Sequence, residues 1–157
     1  MTPPIIIGID PGTDTGFAVK DLATGQFSIV RTLPIHRAWE QVVDLADFVG
    51  RSSIYIVVED ARLRKWIPKE TGREVLQGIG AVKRDSKIWE DFLTDQGIPH
   101  RMVAPAEGRT KWNEAFWKQA TGYKGRTSNH ARDAAVLVLG INEKNLLTSN
   151  WKIPDKP

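Results

Sequence analysis

The sequence predicts an α/β domain with a central mixed five-stranded sheet flanked by helices, and three observations support this fold class. Residues 5–9 and 54–58 are apolar at every position but one glycine, which is typical of strands buried on both faces. Two further strands follow the first run closely enough to form a meander with it. Segments of helical periodicity then alternate with strands, which indicates a sheet covered by helices.

The N-terminal part of the chain predicts three antiparallel strands. The first apolar run stops at Asp10, and Pro11 and Gly12 then act as breakers. Residues 16–19 and 26–30 predict the second and third strands, and residues 23–25 between them predict a hairpin turn.

The rest of the chain predicts helices around two more strands. Residues 33–49 have apolar spacings of three and four, and Gly50 supplies a stop. A long helix is expected over 70–95, where Gly78 and Gly80 would each cost about 1 kcal/mol, so we expect close packing against them. The further elements are strands at 54–58 and 99–103, a helix at 113–119 and a last helix capped by Ser128. We expect one domain over residues 1–149 and a poorly ordered tail over 150–157.

Composition excludes several classes of protein. The 157 residues include no cysteine, which excludes disulfide scaffolds, thiol catalysis and cysteine-ligated metals. No apolar run approaches the roughly 20 residues of a membrane span, and no secretory signal opens the chain, so a cytoplasmic or nucleoid protein is expected. Residues 1–60 carry 4 basic and 8 acidic side chains, whereas residues 61–157 carry 18 basic and 11 acidic ones. This asymmetry fits a polyanion-binding surface as well as it fits chance.

Both apolar strands end at a carboxylate, Asp10 on the first and Glu59 on the later one. Ligands of open α/β sheets bind at the carboxyl ends of the strands, so neighbouring strands would bring these two side chains together. Two carboxylates in contact repel unless protons or a cation compensate, and a divalent metal is the natural compensation. Taken singly, each carboxylate is also compatible with a plain turn cap.

His130 and Asp133 open the last apolar helix and share one face of it, because they are three residues apart. The small residues Ala131, Ala134 and Ala135 would let this helix approach the sheet closely. Asp133 would then lie beside Asp10 and Glu59. An acid in a first helical turn is also favoured by the helix dipole alone.

Four segments in order resemble the RuvC family of Holliday junction resolvases. The segment GIDPGTDTG at 8–16 resembles the first motif of that family, and VVE at 57–59 resembles its second acidic strand end. LQGIGAV at 76–82 resembles its glycine-containing helix, and HARDAA at 130–135 resembles its closing motif. The resemblance runs from about residue 5 to residue 140, and the length is more similar to phage-encoded members.

The resemblance implies a ribonuclease-H-like fold and a homodimer that nicks four-way DNA junctions symmetrically with Mg²⁺. Asp10, Glu59 and Asp133 would be catalytic metal ligands, with Asp10 bridging two ions, and Mn²⁺ would substitute. His130 would be the fourth catalytic residue, as a metal ligand or as a contact to phosphate or water. The family often has an aromatic residue that stacks on bases shortly after its second acid. This sequence has Arg62 near that position, and the aromatic residue nearest to it is Trp66.

Basic residues surround the expected site and are candidates for DNA binding, since Lys and Arg neutralise phosphates. One group follows Glu59, and its aromatic neighbour suits base stacking. The other candidates lie on the long helix and in the segment before the last motif. The candidates are Arg62, Arg64, Lys65 and Trp66 after Glu59; Lys83, Arg84 and Lys87 on the long helix; and Lys111, Lys118, Lys124 and Arg126 before the last motif.

Three other functions compete with a junction nuclease. A kinase or ATPase of the actin type also opens with a similar glycine motif, but it needs two such lobes and this chain holds one. A branched-DNA-binding module with little catalysis fits poorly with an intact acidic set, which repels phosphate without metal. The same fold and chemistry acting on flaps or other branched DNA is the strongest rival.

Overall fold

The computed structural model describes residues 4–65, 69–106, 111–148 and 150–155, and these form one sheet with helices on both faces. The strands are β1 Ile5–Asp10, β2 Asp14–Asp21, β3 Phe27–Pro34, β4 Ile54–Glu59 and β5 His100–Val103. The α-helices are α1 Ile35–Val49, α2 Arg73–Asp95, α3 Glu114–Thr121 and α4 Asn129–Val138. In the described part of the chain, no helix combines the length and apolar character that crossing a bilayer needs.

The sheet has the order β3-β2-β1-β4-β5 and is mixed. β1 pairs antiparallel with β2 and parallel with β4, and β4 pairs parallel with β5. The predicted fold class is therefore confirmed. In the parallel register Ile9 lies opposite Val58, so the next residues, Asp10 and Glu59, end neighbouring strands at the same edge.

The sheet separates two apolar layers. Ile7, Ile9 and Ile56 pack with α1 and α2, where Trp39 and Trp89 meet edge to face with ring centroids 6.2 Å apart. The opposite face packs against α4 and α3. Trp89 is fully buried in this layer, and Trp39 is partly buried against it.

Element boundaries differ slightly from those predicted. α1 begins at Ile35 rather than at residue 33, because Leu33 still pairs with Thr15 in the β2–β3 ladder. α2 begins at Arg73 rather than at residue 70, since Gly72 takes an extended backbone as its N-cap. Ser128 caps α4 as predicted, accepting a 3.1 Å hydrogen bond from the Ala131 amide.

Gly78 and Gly80 differ from expectation in their surroundings. Both are exposed on α2, and an added Cβ at either would meet no atom within 4 Å. The close packing expected at these glycines is therefore not made within the described part of this chain. Residues 73–85, more than the first three turns of α2, include no buried residue, and the buried residues of this helix begin at Ser86.

Residues 150–155, expected to be poorly ordered, make defined contacts with the sheet. The Trp151 ring packs edge to face on Tyr55 at 5.1 Å, and Lys152 exchanges backbone hydrogen bonds of 3.0 and 2.8 Å with His100. β5 is an edge strand, so its free backbone groups offer pairing sites to this segment.

Candidate metal centre

Asp10 and Glu59 form the floor of the candidate site at the carboxyl edge of β1 and β4. The Asp10 side chain is 13% exposed, and Glu59 is half-buried. Burial raises the pKa of Asp10, because a desolvated carboxyl disfavours its charged form, and the nearby His130 opposes that rise. The floor of the site therefore consists of two acidic side chains that a nearby positive charge would stabilise.

The approach of α4 to this floor depends on two glycines of the central strands. An added Cβ at Gly8 would lie 2.0 Å from the carbonyl oxygen of Ala134, and one at Gly16 would lie 2.1 Å from that of His130. No real Cβ tolerates such contacts, so any other residue would push the helix away. Together with the buried Ala131, these glycines bring the first turn of α4 over the strand ends.

Asp10, His130 and Asp133 come together as the sequence predicts. One ligand atom from each lies within 4.8 Å of the others, and His130 Nδ1 lies 3.0 Å from Asp10 Oδ2. An Mg²⁺ ion with ligand distances of about 2.1 Å would need only a small closing of this group. The hard oxygen donors and the imidazole therefore fit a divalent cation.

Glu59 reaches the same site from the side of β5. It lines a cleft of about 160 Å³ whose wall also includes Arg64, Pro105, Ala106, Lys111 and Asp133. The four predicted acidic and imidazole residues thus occupy one edge of the sheet, with Asp133 shared between the three-residue group and the cleft.

Lys111 places a positive charge directly on the acidic group. Its Nζ donates to Asp133 Oδ2 at 2.7 Å, although its side chain is 71% exposed. This hydrogen bond, more than any other interaction, raises the pKa of Lys111. The sequence singles out Lys111 as a candidate for DNA binding, but not as a partner of Asp133.

Arg62, a candidate for DNA binding, is instead engaged in ion pairs with Asp60 and Glu90. The Asp60 side chain is only 2% exposed and lies 2.7 Å from Arg62 Nη2, which also donates to Glu90 Oε1 at 3.2 Å. These contacts raise the pKa of Arg62, chiefly through the hydrogen bond to Asp60. Asp60 is thus occupied away from the cleft, and Arg62 ties the end of β4 to α2 instead of presenting a free guanidinium.

The remaining basic candidates occupy varied positions. Arg64 lines the cleft, Lys65 is exposed, and Trp66 lies outside the described residues. On α2, Lys83 is half-buried, Arg84 lies 3.9 Å from Asp85, and Lys87 pairs with Asp91 at 2.9 Å. Lys118 lies 3.7 Å from Glu114 on α3, and Lys124 and Arg126 are exposed in the loop before α4.

Two buried basic residues that hold α4 in place were not predicted from the sequence. Arg132 donates through Nε to the Trp112 carbonyl at 2.7 Å and through Nη1 to the Thr127 carbonyl at 3.0 Å, so it fastens the preceding loop to α4. Lys20 Nζ donates to carbonyls beyond the other end, at 2.9 Å for Leu139 and 2.7 Å for Ile141. The available signal was a charged residue within an otherwise apolar pattern.

The comparisons with known proteins support the fold. No protein-family model matches the sequence, and no curated protein matches it. Among solved structures, T. thermophilus RuvC in complex with a Holliday junction substrate is similar, with a TM-score of 0.54 and 15% identity over 86% of this chain and 90% of that chain. This chain therefore has a RuvC-like, ribonuclease-H-like fold, with its acidic residues and His130 gathered at one edge of the sheet.

Proposed function

We propose that this protein is a Mg²⁺-dependent endonuclease that resolves four-way DNA junctions by paired symmetric nicks. The observation that carries the proposal is the convergence of Asp10, His130 and Asp133 within 4.8 Å, beside Glu59, on a RuvC-like fold. The similar RuvC structure contains a Holliday junction, which suggests branched DNA as the substrate. Such an enzyme would act in the cytoplasm, where DNA is accessible.

Asp10, Asp133, Glu59 and His130 would hold the metal. When bound, two Mg²⁺ ions would activate the attacking water and neutralise the leaving 3′-oxygen. Asp10 has the central place, since β1 is the middle strand of the sheet, and is our candidate for the ligand shared by both ions. Mn²⁺ should substitute for Mg²⁺ because it accepts the same oxygen and imidazole donors.

The chain's own residues would perform the remaining work. The Asp10 carboxyl must be ionised, and the contact with His130 Nδ1 favours that state against burial. Arg64 on the cleft wall would attract the scissile phosphate. The exposed Lys65, Lys124 and Arg126 would neutralise flanking phosphates without reading sequence.

A cleavage assay tests the proposal directly. The protein is incubated with a mobile four-way junction, a flap and a linear duplex, each with Mg²⁺ or with EDTA. We expect paired symmetric nicks in the junction with Mg²⁺ alone. Asp10→Asn and Asp133→Asn should each lower the rate at least about 100-fold, because loss of a ligand exceeds the cost of altering its outer partners.

Asp44→Asn is the matched control, since Asp44 is an exposed acid on α1 and lies outside the proposed metal site. Full cleavage by Asp10→Asn would contradict the proposal, and so would turnover of ATP without cleavage. Tight junction binding without cutting would favour a branched-DNA-binding module with little catalysis.

Other branched DNA, such as a flap, is the second candidate substrate. The ion pairs of Arg62 favour it. The position at which the resembled family often carries a stacking aromatic is here committed to Asp60 and Glu90. Junction opening by stacking would need another residue. Faster cleavage of the flap than of the junction would support this alternative.

A homodimer would supply the paired sites that symmetric nicking of a two-fold junction requires. Val75 and Leu76 are 58% and 48% exposed near the start of α2, beside the unpacked Gly78 and Gly80. A second copy would bury this apolar face. Leu76→Glu should therefore convert a dimer to a monomer in light scattering, whereas Phe48→Glu, at a 78% exposed position on α1, should not.

A further inference from the structure

Lys111 contacts the candidate metal centre from a segment outside the sheet and α4. Its Nζ lies 2.7 Å from Asp133 Oδ2. Asp10 and Glu59 also interact favourably with its positive charge, and it lines the same cleft as Glu59 and Asp133. A single ammonium thus faces all three carboxylates of the site.

This charge answers a physical need of the site. The Asp10 side chain is only 13% exposed, and one of its ligand atoms lies within 4.8 Å of one from Asp133. Two acidic side chains this close and poorly solvated are stabilised by a nearby positive charge. Lys111 supplies that charge through a flexible side chain that is 71% exposed. Water can therefore replace its contact with Asp133 at small cost in free energy.

We propose that Lys111 is the resident counter-cation of Asp133, and that a divalent ion must displace it to bind. The inference rests on the proposed function, since it concerns the same carboxylates. It adds that Lys111 sets how tightly these carboxylates bind a cation. Lys111 and the divalent ion compete for Asp133 Oδ2, so Lys111 weakens cation binding in the DNA-free protein. Removal of its charge should therefore strengthen cation binding, in contrast to removal of a structural support, which would weaken it.

Titration of the full chain with Mn²⁺ tests this competition without DNA and without turnover. Free Mn²⁺ is measured by electron paramagnetic resonance at fixed pH and ionic strength, and circular dichroism checks the fold of each variant. Lys111→Met should tighten Mn²⁺ binding about fivefold, the equivalent of about 1 kcal/mol for an exposed ion pair. Lys111→Arg keeps the charge and should stay near the wild-type affinity.

Arg37→Met is the matched control, because Arg37 forms a comparable exposed pair with Glu40 at 2.8 Å on α1. It should leave Mn²⁺ affinity unchanged. Unchanged or weaker binding by Lys111→Met, with binding abolished by Asp133→Asn, would overturn this inference and leave the proposed metal site standing. Equal Mn²⁺ binding by the wild type and Asp133→Asn would overturn the metal site itself, and the inference with it.

Discussion

Gly16 shows how one residue sets the geometry of the candidate site. It lies on β2 opposite Asp10 of β1, directly beneath the first turn of α4. A Cβ here would meet the His130 carbonyl oxygen at 2.1 Å and the Asp10 Cβ at 2.9 Å. Both neighbours carry side chains of the proposed metal centre, so the absence of a Cβ is a requirement of the site as well as of the fold.

Gly16→Ala should therefore destabilise the protein and weaken its metal site together. Overpacking against backbone costs about 1–3 kcal/mol, and α4 would move His130 and Asp133 away from Asp10. Urea unfolding and Mn²⁺ titration measure the two effects. Gly140→Ala is the control, because its Cβ would meet nothing within 4 Å. A Gly16→Ala variant with normal stability and affinity would contradict the close approach of α4.

His100 makes stability depend on pH. It is fully buried, its Nδ1 donates to the Ile98 carbonyl at 2.8 Å, and its Nε2 has no hydrogen-bond partner in the described part of the chain. Burial lowers the pKa of His100 by disfavouring the charged imidazolium. As pH falls below about 6.5, the unfolded chain binds the proton first, so stability is lost.

We expect the unfolding free energy to fall between pH 7.5 and 5.5, by at most about 1.4 kcal/mol per pH unit from this one group. His100→Leu should flatten the dependence in urea denaturation. His36→Asn should preserve it, since His36 is exposed on α1. A wild-type stability that rises on acidification through this range would refute the assignment to His100.

Among the elements, the end of β4 and helix α2 are joined by a buried polar connection. The Asp60 amide donates to the Val103 carbonyl of β5 at 2.7 Å, and its carboxylate holds Arg62, which reaches Glu90 on α2. Ser86 of α2, fully buried, accepts from the Ala61 amide at 3.3 Å. Because Asp60 follows Glu59 directly, this connection also fixes the strand end that carries Glu59.

Arg62→Met should cost about 2–3 kcal/mol of stability, because it leaves the Asp60 carboxylate buried without a cation. We also expect weaker Mn²⁺ binding, since the backbone of Glu59 loses its anchor. Arg62→Lys should restore part of both, and Asp60→Asn combined with Arg62→Met should be milder than Arg62→Met alone.

Arg37→Met provides the comparison for this connection. Arg37 pairs with Glu40 at 2.8 Å on the exposed face of α1, and such a pair contributes at most about 1 kcal/mol. Equal losses in Arg37→Met and Arg62→Met would show that the buried connection has no special importance.

At the scale of the whole molecule, charge is divided between the two parts of the chain. The first 60 residues include Asp10 and Glu59, whose charge bound metal would offset, and the rest carries 18 of the 22 basic side chains. Lys124 and Arg126 are exposed in the loop that leads into α4. This loop therefore brings positive charge towards the acidic edge of the sheet.

Junction binding should accordingly weaken steeply with salt. In Ca²⁺ or EDTA, Lys124→Met with Arg126→Met should reduce the slope of log affinity against log salt by about two, one for each side chain that no longer neutralises a phosphate. Lys144→Met, beyond the C-terminus of α4, should leave the slope unchanged. An unaltered slope in the double variant would remove this loop from the DNA-binding surface.

Local patterns were enough to predict much of the fold and the sheet edge at which the candidate site lies. Continuous apolar runs predicted β1 and β4, and the carboxylates that end them predicted the edge at which Asp10 and Glu59 meet. The contact partners of individual side chains were predicted less well. Arg62 pairs with Asp60, two residues before it, and with Glu90, 28 positions away, whereas Arg64 lines the cleft. The contact with Glu90 depends on where α2 packs, and the sequence around Arg62 carries no signal for it.

The mixed sheet, its strand-end acids and the capped last helix could be predicted from local patterns, because hydrophobic periodicity and capping act over a few residues. Which charges meet depends instead on long-range packing. The pairing of β1 with β4, and the fit of α4 over Gly8 and Gly16, bring Asp10, His130 and Asp133 together from across 120 residues of chain. The same long-range packing decided that Lys111 meets Asp133, because such contacts depend on backbone approach and are not encoded in local spacing.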